Sequence, residues 1–498
     1  MNCGWGVQPG LLRRERLLHN MTLREFIKSF SAYGFLPVFT KFASFLLVPV
    51  YVRVFSSADF GIVELVLSTM NLVVFAMSLE FYGAIGRFFY DRETTKDKQV
   101  LISTGFGLTL ISALLVSSFC YVFIKQLHEM IFPVGDYYSL IRIGLLWSVL
   151  SAISTYLSVI PRYLKKAKQY VLFNSVSLVI KLTSTIFYVL VLKTGISGIL
   201  WGNVTGDVVA IILYWISSSR FIRACFSFAE ARKIISFAIP LVPGVLIIGL
   251  FQPMFRSIMG RNYSLEELGI FSFASRIATI LVIVETAIRL AWRPLLYENI
   301  KKADFGASYF KISKLVGAML LLTGIAIIGV SKEIISIIGT SEYLPGRILI
   351  GGILIAQILQ NLDSLRGFGY EVAKKTYMVS IITIVSRAIG IVFLIYAAKP
   401  FGLFGAGTAF MLPLLISYPI KATYTKRFIS VDTKNLREAI LWLLLVIVYV
   451  MSIYDLSLIF RITAILSSLV IATPLKSVKD YLSSPAVRNG LDKVGGFL

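Results

Sequence analysis

Apolar residues run in blocks of about the length a bilayer demands, and this feature constrains the chain most. A transmembrane helix needs roughly 20 predominantly apolar residues. Fourteen such stretches stand at 30–52, 61–83, 100–124, 139–161, 170–192, 197–218, 234–259, 269–292, 315–331, 346–366, 377–398, 402–420, 439–454 and 457–473. The last two are short. None shows the alternation of apolar and polar residues that a membrane β-barrel strand requires. Only 15% of the 498 residues are charged, against about a quarter in a soluble domain. The expected fold is therefore an all-α polytopic membrane protein with about 14 transmembrane helices.

The net charge of +23 does not point to nucleic acid, because its distribution follows the membrane. The N-tail, the even-numbered loops and the C-tail hold 33 of the 49 Lys and Arg residues, and the odd-numbered loops hold 6. The positive-inside rule then predicts both termini in the cytoplasm. Three cysteines far apart and two histidines outside the spans give neither a disulfide framework nor metal-ligand spacing, so no metal or cofactor is expected. The N-terminus shows no compact apolar core or cleavage site of a signal peptide, and Met21 is a candidate start. No GxxxxGK[ST] loop is present, which removes ATP hydrolysis of that kind.

Polar landmarks repeat at a fixed offset. KAKQY, ending at Tyr170, returns 207 residues later as AKKTY, ending at Tyr377. Gly195 and Gly198 return as Gly402 and Gly405, and Ser57-Ala-Asp-Phe-Gly61 returns at 208 as Leu265-Glu-Glu-Leu-Gly269. The offset contains six spans, so the halves share one orientation. Parallel repeats of this kind are a transporter plan with the substrate between the halves. The expected domains are a cytoplasmic segment 1–29, a six-helix bundle 30–220, a linker 221–233, a second six-helix bundle 234–425, a helix pair 426–475 and a tail 476–498.

Ionisable groups inside spans are costly and face a bundle interior or aqueous cavity. Arg142, Arg347 and Arg366 sit near span ends and can snorkel; Arg256 is close to one end, and Arg461 lies in the terminal pair. Lys41, Lys181, Arg276 and Arg387 lie deeper and are the cationic-cavity candidates for substrate binding. Lys181 and Arg387 occupy nearly matching repeat positions. Glu64, Glu80, Asp207, Glu285 and Asp363 are candidates for ion coupling or for counter-ions. Glu285 and Arg289 have the i,i+4 spacing of a helical ion pair, whereas Arg276 has no partner on its own helix. Basic residues in spans outnumber acidic ones, which favours an anionic cargo, and guanidinium groups suit phosphate. GAIGRFFYDRETTKDK (83–98) is either an amphipathic piece in the interface or a charged loop. Pro37, Pro49, Pro240, Pro243 and Pro253 mark the first and seventh spans as sites of bending.

VFSSADFGIVEL after the first span and AIGRFFYD after the second, with second-half counterparts SLEELGIFSFASRI and LAWRPLLYEN, resemble the polysaccharide-transporter branch of the multidrug/oligosaccharidyl-lipid/polysaccharide exporter superfamily. These are the O-antigen-type lipid flippases. The resemblance covers roughly residues 21–475 and rests on a diffuse pattern. It implies an inner-membrane, multi-pass protein that moves polyprenyl-diphosphate-linked oligosaccharide between leaflets by alternating access of two bundles, for surface polysaccharide assembly. Lys41 and Arg276 best fit the cationic cavity of that family. The implied partners are the lipid-linked oligosaccharide and membrane lipids; whether a polysaccharide polymerase or glycosyltransferase binds is left open.

Other readings stay open. An ion-coupled small-molecule exporter of the same superfamily would share the 6+6 plan, though the basic excess and the terminal helix pair weigh against it. A membrane oligosaccharide polymerase needs a long external loop with acid/base residues, and the external loops are short. A major-facilitator transporter would carry a basic-glycine loop where TTKDKQ stands at 94–99.

Overall fold

In lipid, a backbone that satisfies its own hydrogen bonds is a helix, and the computed structural model is helical throughout the residues it describes: 36–299 except 224, 305–366, 376–425 and 436–472. In chain order the helices are α1 Leu36–Val54, α2 Ser57–Ser78, α3 Phe81–Phe89, α4 Thr95–Val122, α5 Ile124–Ile131, α6 Tyr138–Tyr163, α7 Ala167–Val191, α8 Ser197–Ser218 and α9 Phe228–Ala238. They continue with α10 Val242–Asn262, α11 Leu265–Asn299, α12 Phe305–Gly329, α13 Ser331–Ile338, α14 Arg347–Arg366, α15 Thr376–Tyr396, α16 Gly402–Thr425, α17 Leu436–Ile453 and α18 Leu458–Ala472. Each expected span overlaps one of these. Among the described residues, eleven helices are long and apolar enough to cross a membrane, or twelve if the end of α12 and α13, bent by 62°, form one span. α18, with 15 residues, is shorter than a span, and α10 is not among the eleven. The expectations for segment 1–29 with Met21, for tail 476–498 and for the Arg289 side chain lie outside the described residues.

Local chemistry sets the boundaries. Thr94 caps α4 by accepting from the Asp97 amide at 3.1 Å, and Ser227 caps α9 by accepting from Glu230; both are Ser/Thr-x-x-acid signatures of a helix start. α1 is interrupted at Leu47, two residues before Pro49. Between α9 and α10 the chain tightens into a 3₁₀ turn, Ile239–Leu241, that carries Pro240. Pro253 sits inside α10. A proline lacks the amide that would continue the helical ladder, and the interruptions at Leu47 and Ile239–Leu241 fall beside prolines, whereas α10 runs on through Pro253.

The second span ends earlier than expected. Leu79 and Glu80 both have positive φ, 42° and 56°, a conformation most side chains avoid. The chain turns there, and Glu80 lies in the break rather than in a span. The GAIGRFFYD segment follows as α3, an amphipathic helix. Its apolar face of Phe81, Ala84, Ile85 and Phe89 is buried against α4, α6, α8 and α9 through Ile102, Leu157, Tyr214 and Ile234. The amphipathic reading was right, but the bundle takes the apolar face rather than the interface.

The helices form two compact units that interleave along the chain. One takes residues up to 44, 73–124 and 139–243; the other takes 45–72, 125–138 and 244 onward. In the first, α7 and α8 approach closely through Gly202 and Gly206. A Cβ at Gly206 would stand 2.6 Å from Lys181 Cβ, and one at Gly202 would strike Thr185. This is small-xxx-small packing, which membrane helices use to bring backbones together. In the second, α2 and α11 cross at their first turns. A Cβ at Gly61 would strike the Leu265 carbonyl, and one at Gly269 would strike the Ser57 carbonyl. These are the residues related by the 208-residue offset, so the repeat meets itself there reciprocally. Phe60, Phe273 and Tyr343 pack beside the crossing; Phe273 and Tyr343 have ring centroids 4.6 Å apart.

Candidate functional site

α2, α10 and α11 bring three charges together within the second unit. Arg276 donates to Glu64 through Nε at 3.0 Å and through Nη2. Arg256 Nη2 lies 3.5 Å from the other Glu64 oxygen. The Gly61–Gly269 crossing aligns these helices. From it, Glu64 is one turn along α2, and Arg276 is two turns along α11. The cluster holds two guanidinium groups and one carboxylate, so its formal charge is +1. Glu64 is buried and Arg256 nearly so, and Arg256 Nε is buried without an acceptor among the described residues. The Arg276 side chain keeps 34% of its surface open. A desolvated cation with an unused N–H, beside a partly open one, is an arrangement that favours an anion.

The expectation for Arg276 is thus resolved: its partner is on another helix, 212 residues away. Arg256 was read as a span-end residue and belongs to this cluster. No sequence signal could have found it, since its link to Glu64 is made only by folding.

The first unit holds a second cluster. The Gly202/Gly206 face of α8 seats α7, which brings Lys181 near Asp207. Trp147 Nε1 of α6 donates to Asp207 at 2.9 Å, and Ser154 donates at 3.0 Å. The Lys181 ammonium lies 5.8 Å from the Trp147 ring centroid. Arg387, near the matching repeat position, lies 5.2 Å from the Phe251 ring centroid. Both deep cations therefore rest on an aromatic face, which a cation attracts electrostatically. Lys41 is half-buried on α1.

The remaining acidic candidates have partners. Asp363 pairs with Lys421 at 2.8 Å, and Lys421 also donates to Thr383. Lys421 stands one residue beyond the expected span 402–420. α16 instead runs through Pro413 and Pro419 to Thr425 and buries it. Glu80 accepts from the Tyr82 hydroxyl at 2.9 Å. Glu285 is buried and takes a 3.4 Å bond from Thr286.

The expected snorkelling is corrected for Arg366, while Arg347 at its span end reaches an exposed carboxylate. Arg366 points into the protein, where it binds both Glu438 oxygens at 2.7 and 2.8 Å and donates to Tyr418 and Ser313. Arg347 pairs with Asp455 at 3.2 Å. Arg461 is buried on Glu333 and the Gly329 carbonyl. Among the described residues no group of three or more His, Cys, Asp or Glu side chains is placed to hold a metal.

This helical architecture is similar to that of solved transporter structures. A MATE multidrug resistance transporter in its inward-facing conformation matches with a TM-score of 0.63 at 14% identity, covering 78% of this chain and 94% of that one. The lipid II flippase MurJ in its inward closed conformation matches with a TM-score of 0.66 at 15% identity, covering 92% of this chain and 100% of that one. A MOP superfamily transporter from Pyrococcus furiosus matches with a TM-score of 0.51 at 13% identity, covering 81% of this chain and 96% of that one. At such identities the likeness is one of fold alone. A search of curated protein sequences gave no significant match. Residues 50–346 match the family model described as polysaccharide biosynthesis protein. The chain belongs to that family.

Proposed function

We propose that the chain flips a polyprenyl-diphosphate-linked oligosaccharide from the cytoplasmic to the outer leaflet of the cytoplasmic membrane, for assembly of a surface polysaccharide of the O-antigen kind. The +1 cluster of Glu64, Arg256 and Arg276 is the observation that carries this reading. A diphosphate and its sugars cannot cross hydrocarbon unaided, because every unpaired polar group there costs several kcal/mol. Basic groups between helices offset that cost for the diphosphate, while the polyprenyl tail stays in lipid. Arg276, Lys41, Lys181 and Arg387 are the cations put forward for the diphosphate. Two bundles, 30–220 and 234–425, alternate access, with the pair 426–475 beside them, fourteen spans in all and both termini cytoplasmic. Reorientation requires the Gly61–Gly269 crossing to part. Glu64 and Asp363 act as counter-ions to the cations they touch. Asp207, held by two neutral donors, is the better candidate for ion coupling.

The test is lipid mass spectrometry on cells depleted of this protein. The expected result is accumulation of one polyprenyl-diphosphate oligosaccharide in the cytoplasmic leaflet, cleared by the wild-type gene and not by Arg276→Gln. Unchanged lipid-linked sugars with normal surface polysaccharide would overturn the proposal and turn attention to small-molecule export.

A further inference from the structure

α4 and α6 are antiparallel and meet near one end, where the Tyr156 hydroxyl donates to the Ile102 carbonyl at 2.7 Å. Fifteen residues along α4, about 22 Å at 1.5 Å per residue, a groove of about 510 Å³ opens between the same two helices. Ser117, Ser118 and Arg142 stand at one level, and Tyr121 lies about a turn further out. Leu145, Leu146 and Val149 line the groove one to two turns deeper into the membrane. Arg142 is exposed, and among the described residues no carboxylate pairs with it and no hydrogen bond engages it. Around it, Leu114, Leu115, Phe119 and Val122 expose 61–73% of their surface, as side chains facing lipid do.

The vertical order of these groups matches a phospholipid. A guanidinium four residues inside the span end of α6 is at the depth of the phosphates of a bilayer that this span crosses, and its planar fork suits phosphate oxygens. Hydroxyls of Ser118 and Tyr121 flank it. The leucines and the valine form a track for an acyl chain below. Snorkelling alone would account for the cation, but not for a groove with hydroxyls at the cation's level and an apolar floor beneath.

We propose that this groove binds one anionic phospholipid, its phosphate on Arg142 and an acyl chain along Leu145, Leu146 and Val149. The leaflet is the one on the side of the 123–137 connection. The site is distinct from the cationic clusters proposed for cargo, and its existence does not depend on the flippase reading.

The test uses the full chain in nanodiscs containing a diazirine-bearing phosphatidylglycerol, with photolabelled peptides identified by mass spectrometry. Labelling is expected on 114–122 and 142–149. It should be competed by unlabelled phosphatidylglycerol but not by equal phosphatidylcholine or by millimolar inorganic phosphate. Arg142→Ala should cut it at least fivefold, and Arg142→Lys, which keeps the charge and loses the fork, should fall between that variant and the wild type. Labelling of the basic loops at 162–168 and 220–233 serves as the internal control and should not change. Competition by inorganic phosphate would assign the site to a free anion and overturn the lipid proposal. So would equal competition by phosphatidylcholine, or labelling unchanged in Arg142→Ala while the variant unfolds at the wild-type temperature.

Discussion

Replacing Glu64 with glutamine keeps the shape of the α2–α10–α11 cluster and removes its only negative charge. Arg276 and Arg256 then face each other across an amide. Breaking a fully buried ion pair by removing one partner costs about 3–5 kcal/mol, because the survivor remains desolvated and unpaired. Arg276 keeps about a third of its side chain open, so water screens part of that cost, and the expected loss falls to about 2–3 kcal/mol. Arg276→Gln removes one cation but leaves Glu64 its second partner, Arg256, 3.5 Å away, so it should cost less, about 1–2 kcal/mol. The double variant should be more stable than the sum of the single losses predicts, with a coupling of at least about 1 kcal/mol. The assay is unfolding of the purified full chain over an SDS titration in mixed micelles, run on the four proteins of the cycle. Simple additivity, with a coupling below about 0.5 kcal/mol, would refute the claim that these residues form one electrostatic unit.

Further outcomes follow from the packing and the charges. Gly269→Ala places a methyl against the Ser57 carbonyl and should cost about 1–3 kcal/mol by overpacking. Gly260→Ala, whose new atom would have its nearest neighbour at 3.5 Å, should be neutral or mildly stabilising in the same SDS titration. Lys421→Met strands the buried Asp363 carboxylate, so Lys421→Met with Asp363→Leu should unfold at a higher temperature than Lys421→Met alone. Hydrogen bonding from Lys332, joined by Arg347, holds the Asp455 carboxyl below its usual pKa. Its stabilisation is therefore complete above about pH 4, the unfolded value, and is lost as pH falls through the lower folded value. Thermal unfolding from pH 6 to pH 3 should show a steeper decline in the wild type than in Asp455→Asn, and parallel curves would sink the assignment.

Helices and repeat were legible in the sequence because both follow from patterns along the chain. Hydropathy locates a helix at every expected span, and the 208-residue offset pairs Gly61 with Gly269, which the fold brings together. The partners of the charges were not legible. Glu64 and Arg276 are 212 residues apart, and nothing local to either names the other. Arg366 looked like an interfacial arginine because its partner Glu438 sits at the start of α17, which only the folded chain returns to it. Lys421 looked like a loop residue because Pro419 and the end of the apolar run suggest a stop, yet α16 continues another turn under tertiary packing. Glu80 looked like part of a span because hydropathy does not register a backbone turn made by two successive left-handed residues.

The crossing of α2 and α11 has a consequence for how repeated segments of one chain can pack. Residue 57 meets 269, and residue 265 meets 61, so α2 and α11 each offer the surface they receive. This is the signature of an isologous interface, the kind that two identical subunits form across a dyad. One chain here contains what elsewhere takes a homodimer. Each approach leaves no room for a side chain, so the two close contacts fix the same pair of helices at two points. A substitution on either side is felt by both halves, and its matching partner, 208 residues away, is the natural place to look for a compensating change.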